Sequence, residues 1–171
     1  MKGGRDLDIQ VKDALNVLPV ITYRWLGVNQ LHLNDITRTV KSYTKRFILS
    51  NSDLVKNISL IDKSHYDELN KENVGYGVSG ELVSLAQEAF NAGALVQVPP
   101  KTTLREPIRL LYGLDRENDM LIDNNLIYVG QGSQLTLVMD YFTNDDAEAF
   151  HNGSTRIFAA ADSQIDIVKI Q

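Results

Sequence analysis

The stretch IYVGQGSQLTLV, from Ile127 to Val138, returns thirty residues later as IFAAADSQIDIV, from Ile157 to Val168. The two share their apolar positions, their Ser-Gln step and their length. A third copy precedes them. VQVPPKTTL (Val96 to Leu104) aligns with Ile127 to Leu135 and Ile157 to Ile165 at offsets of 31 and 30 residues. Each copy has two apolar residues flanking a variable one, a short bend, a Ser or Thr, a polar residue, then Leu or Ile. A fixed period of this size, filled with short strands, is the signature of a solenoid in which each repeat stacks on the last. A lone coil of some thirty residues buries too little to repay its ordering entropy, so neighbours are required. The expected architecture is a parallel β-helix of three coils.

The paired apolar residues Leu137-Val138 and Ile167-Val168 break strict alternation, which is expected where a coil turns a corner and points both inward. Leu137 and Ile167 are expected to be inward-facing neighbours, stacked one coil apart in an apolar column.

Before the repeats the pattern differs. Ile36, Val40, Tyr43 and Phe47 fall on one face of a helix, with Asn34 or Asp35 as cap and Arg38, Lys41 and Lys45 opposite, a basic solvated face. VSGELVSLAQEAFNAG supplies a better-defined helical stripe from Leu82 to Phe90, with Ser79 as cap and Gly93 as the stop. Charge divides the chain too. Residues 1–74 carry eleven Lys and Arg against nine Asp and Glu, and the remainder carries six against thirteen. The expected division is a helical or mixed region over 1–93 followed by coils over 94–171.

Several functions are excluded or weakened. The acidic second part lacks the clustered positive charge that phosphate backbones need, so nucleic acid is not an expected partner. No apolar run reaches membrane-spanning length, and the charged opening MKGGRDLDIQ is unlike a signal peptide, so a cytoplasmic protein is expected. The chain has no cysteine, hence no thiolate site or disulfide. GYGVSG (Gly75 to Gly80) has dinucleotide-loop spacing but follows the polar NKEN rather than a buried strand, and reads as a connector. Asp145, Asp146, Glu148 and His151 gather within seven residues and could hold a divalent metal; the stronger reading is an acidic loop closed by the turn Asn152-Gly153, with His151 at its edge. His32 and His65 read as isolated surface or half-buried residues. No cofactor, metal or catalytic residue is expected, and neither an iron–sulfur cluster nor a nucleotide should bind tightly. A β-helical carbohydrate-active or carbohydrate-binding module is the alternative, since paired carboxylates act on such scaffolds.

Several motifs in order, Pro99 to Lys101, Glu106-Pro107-Ile108, Gly132-Ser133-Gln134, Asp140-Tyr141 and Lys169-Ile170-Gln171, resemble the opening of the SufB/SufD family of iron–sulfur cluster assembly proteins. Leu18 to Asn29, around Arg24 and Trp25, is similar to an aromatic segment near the start of those proteins. The resemblance implies a helical N-terminal region leading into a right-handed parallel β-helix. It also implies a non-catalytic scaffold role, with a SufB- or SufD-type partner and a SufC-type ATPase. Family members continue through further coils to a helical segment that docks SufC, whereas this chain stops at Gln171 within the array, as a shortened or naturally short form. The cysteines and histidines tied to cluster building lie in those later coils and have no counterpart here. A chain ending there leaves Ile165, Asp166, Ile167, Val168, Lys169 and Ile170 as an uncovered edge, with Asp166 and Lys169 pointing charge outward. Self-association across it, most simply as a two-fold dimer, is expected.

Overall fold

The computed structural model describes residues 7–11, 36–50, 53–59, 80–144 and 146–171. Strands dominate them. They comprise β1 (Leu7–Val11), β2 (Ile36–Val40), β3 (Val55–Asn57), β4 (Ala94–Val98), β5 (Ile108–Leu114), β6 (Met120–Val129), β7 (Gln134–Thr143), β8 (Phe150–Ala159) and β9 (Gln164–Ile170), with one helix, α1 (Gly80–Glu88). Strands β4, β6 and β8 run parallel in one sheet and β5, β7 and β9 in a second, so successive strands alternate between sheets.

The registers match the sequence repeat. Val96 pairs with Ile127 and Ile127 with Ile157, while Val98, Val129 and Ala159 form the next row. Past the bend, Thr103 bridges to Gln134, and Gln134 pairs with Gln164. Leu137 and Ile167 are direct partners, as expected, but only Leu137 is buried; Ile167, on the outermost described strand, is 42% exposed.

The bend has its own column. Lys101, Gly132 and Asp162 occupy equivalent places and adopt the left-handed backbone, with φ of 59°, 65° and 59°. The hydroxyl of Ser133 donates to the Pro99 carbonyl at 2.7 Å and accepts from the Thr102 N–H at 3.0 Å, tying one bend to the next. Gly130 leaves room for the Pro99-Pro100 backbone, which a Cβ would strike.

Two cores follow from the two faces of the β4-β6-β8 sheet. On one face Val96, Val98, Leu121, Ile127 and Val129 meet Ile108, Leu110, Tyr112, Leu135, Leu137 and Met139 of the second sheet. On the other, Leu95, Met120, Ile122 and Leu126 pack with Ala89 and Phe90 after α1 and with Ile9, Val40 and Ile58. Burial on both faces explains the apolar run at each end of β6, where a one-sided strand would alternate. The second sheet does alternate. Along β7 Leu135, Leu137, Met139 and Tyr141 are buried and the residues between them are not. Val138 therefore points outward, and the corner expected at Leu137-Val138 is absent: β7 continues straight through it.

The helix expected over Ile36, Val40, Tyr43 and Phe47 is not formed. Ile36–Val40 is β2, antiparallel to β1, with Val11 opposite Ile36 and Leu7 opposite Val40. The following segment runs as a strap in which Phe47 and Tyr43 pack into the first core. Tertiary contacts override a stripe only four residues deep. The strap closes one end of the stack. Leu49 N–H donates to the Arg109 carbonyl at 3.0 Å and Leu111 N–H to that of Phe47 at 2.7 Å. Strand β3 likewise runs antiparallel along β4. Lys45, placed on the basic face, instead forms an ion pair with Asp115 at 2.6 Å.

The helix expected around Leu82 to Phe90 is present as α1. It ends at Glu88, however, and Gly93 serves another purpose: a Cβ there would strike the Asn124 carbonyl. The glycine permits close approach of β4 to β6. Gly75 to Ser79, the segment Leu18 to Asn29, His32, His65 and Asp145 lie outside the described residues.

Candidate functional site

The centre of β6 reads Asp123-Asn124-Asn125, three polar residues that are all buried. Asp123 and Asn125 point between the sheets. The Asp123 carboxylate has no solvent exposure and accepts hydrogen bonds from three directions. Asn125 Nδ2 donates to Oδ2 at 2.7 Å, Tyr141 Oη donates to the same oxygen at 3.1 Å, and His151 Nε2 lies 2.6 Å from Oδ1. Asn125 is itself fixed, its Oδ1 accepting from Tyr112 Oη at 2.7 Å and from the Ala94 N–H at 2.9 Å. One carboxylate thus joins β6, β7 and β8, and through Asn125 reaches β4 and β5.

A column of rings stands beside it. Phe47 stacks on Tyr112 with centroids 4.7 Å apart, Tyr112 on its register partner Tyr141 at 5.1 Å, and His151 on Tyr141 at 4.7 Å. Burial, followed by the Asp123 charge, pushes the hydroxyls of Tyr112 and Tyr141 well above the usual phenol range. Both therefore remain protonated donors.

His151 is the correction to the expected acidic loop. It lies on β8 and engages Asp123, and Asn152-Gly153 is strand rather than turn. Among the described residues no three His, Cys, Asp or Glu side chains converge as metal ligands would. The buried cluster had one sequence signal: polar DNN set inside a run apolar on both sides.

The edge residues are placed as follows. Strand β9 pairs with β7 on one side, and among the described residues neither β8 nor β9 has a strand on its other side. Ile165 is partly buried against the first core, while Ile167, Val168 and Ile170 are 42%, 47% and 47% exposed, with Ile157 of β8 at 40%. Asp166 is exposed. Lys169, expected to point outward, places its ammonium 5.0 Å from the Tyr141 ring centroid, over the buried cluster. No described helix is long and apolar enough to cross a membrane.

Residues 112–171, which hold the cluster from Tyr112 onward and the whole exposed edge, match the family model described as SUF system FeS cluster assembly, SufBD core domain. No curated protein and no solved structure matches the chain.

Proposed function

With the match over residues 112–171 supporting membership of the SufB/SufD family, and so involvement in SUF iron–sulfur cluster assembly, we propose that the chain is a non-catalytic scaffold component of that system. The family match is the observation that carries this reading. The scaffold is a right-handed parallel β-helix, supported by strand partners spaced a near-constant thirty residues apart in both sheets. It works in the cytoplasm through protein contacts, with a SufB- or SufD-type β-helix and a SufC-type ATPase as partners. The contact edge is Ile165 to Ile170, where among the described residues β9 has no strand on its outer side and the apolar Ile167, Val168 and Ile170 are exposed together. The same edge supports pairing of two copies. No observation favours the carbohydrate reading.

The test is co-purification of the chain with SufB- and SufC-type proteins, set against incubation with oligosaccharides. Stable capture of the SUF proteins that weakens on substituting Pro at Asp166 supports the proposal. Saturable oligosaccharide binding without such capture overturns it. Light scattering over a concentration series addresses self-pairing, and a strict monomer at high micromolar concentration removes it.

A further inference from the structure

The strap leaves the edge of β5 irregularly. Leu49 N–H donates to the Arg109 carbonyl at 3.0 Å, and a regular antiparallel pair would have Arg109 N–H donate back to Leu49. It donates instead to the Ser50 hydroxyl oxygen at 2.8 Å. A side chain thus ends the ladder, and the strap turns away from β5. A cavity of about 480 Å³ lies where it departs, beside the segment that leads into β5. Leu49, Leu104, Pro107 and Ile108 give it apolar walls, and Ser50, Glu106 and Arg109 supply its polar groups. Pro107 has no N–H to offer, so the space does not suit a further strand.

We propose that this cavity binds a short zwitterionic peptide with apolar side chains, about a dipeptide in size. Its volume falls within the roughly 300–1,000 Å³ that small-ligand sites occupy. Glu106 and Arg109 are both exposed, and among the described residues neither has an ion-pair partner. One charge of each sign beside apolar walls matches a ligand that carries both, a free amino end for Glu106 and a free carboxylate for Arg109. The Ser50 hydroxyl reinforces the second contact. Its oxygen is held by the Arg109 N–H, which fixes the side chain and leaves its own proton available to the same carboxylate. Leu49, a large apolar side chain exposed to water, gains cover from the ligand. A protein chain end brings only one of the two charges, so the site favours a free peptide over either terminus of a protein. The proposal does not depend on the SUF reading.

The test titrates the full chain with leucyl-leucine, followed by amide NMR, and repeats the titration with its N-acetyl form and with its amide. Saturable shifts centred on Leu49, Ser50, Leu104, Glu106, Ile108 and Arg109 are expected, with a Kd of roughly 0.1–1 mM, ordinary for a ligand of this size. Blocking either end should weaken binding about fivefold or more, the loss of one charge-assisted contact. Arg109→Ala should weaken leucyl-leucine equally and leave its amide unaffected, while Glu106→Gln should spare the N-acetyl form. Both side chains are exposed, so the fold, read by circular dichroism, is kept. Absence of saturable shifts at ten times that concentration, or blocked forms that bind as tightly as the free dipeptide, overturns the proposal. So does unchanged affinity in both variants.

Discussion

Leu137 and Ile167 are direct partners across the β7–β9 ladder, yet Leu137 is completely buried and Ile167 is 42% exposed. The same position in successive repeats is thus core in one and surface in the next, because among the described residues β7 has a strand on each side and β9 on one. Leu137→Asp should cost on the order of 4 kcal/mol, the penalty for an unpaired buried charge. Ile167→Asp should cost less than about 1 kcal/mol, as surface changes do. Denaturant unfolding of the isolated chain measures both. Equal losses would mean that β9 is covered in solution.

Asp123 is expected to be the most sensitive polar position in the chain. Asp123→Ala strands Tyr141, Asn125 and His151 without their shared acceptor and should cost about 3–5 kcal/mol. Tyr141→Phe removes one charge-assisted hydrogen bond and should cost about 1.5–3 kcal/mol. The double variant should lose less than the sum, since each change removes the other's partner. Strict additivity would show that the two side chains act independently.

The repeat was legible because parallel strands stacked in register must carry matching residues at matching positions, which puts Val96, Ile127 and Ile157 into one row. The buried cluster was less so. Asp123 and Asn125 look like loop residues when read alone, and only the flanking apolar run of β6 reveals them as buried. The sequence neighbours of His151 are acidic, which hides a partner that lies 28 residues earlier on the adjacent strand. The stripe Ile36, Val40, Tyr43, Phe47 fits a helix by spacing alone, but the bonds available from β1 and β5 give its backbone better partners than a helix would. In each case the deciding contact is long-range.

The left-handed column at the bends gives a backbone prediction. Gly132 has open space around its missing Cβ, so a side chain there meets only the backbone penalty. Gly132→Val should cost about 1–2 kcal/mol. Lys101→Gly, at the equivalent place with φ of 59°, should gain up to about 1 kcal/mol, the relief being partly offset by unfolded-state entropy. Thermal midpoints of the two variants should move in opposite directions. A common direction would show that side-chain contacts, not φ, govern this bend.

The strap beside β5 should respond to acid through Asp115. The Lys45 ammonium, 2.6 Å away, and the backbone N–H of Asn118 hold its carboxyl at about 2, below its ordinary value of 3.8. A depressed carboxyl contributes stability that is fully present above its unfolded value and is lost as pH falls through the folded one. The contribution should therefore be intact at neutral pH, begin to decline below about pH 5 and be gone only below about pH 2, once the folded carboxyl is itself protonated. The affected structure is local. Asn118 Oδ1 accepts from the Thr44 N–H at 3.0 Å, and Tyr43 Oη donates to the Gly113 carbonyl at the same distance, so the strap is laced to the β5–β6 turn beside the ion pair. Amide exchange of Thr44 and Leu111 should accelerate as pH drops through that window, after correction for intrinsic rates. Asp115→Asn should show faster exchange at neutral pH and a flatter acid response, since its side chain carries no proton to gain. If exchange in the variant follows wild type at every pH, the Lys45–Asp115 pair contributes nothing to holding the strap.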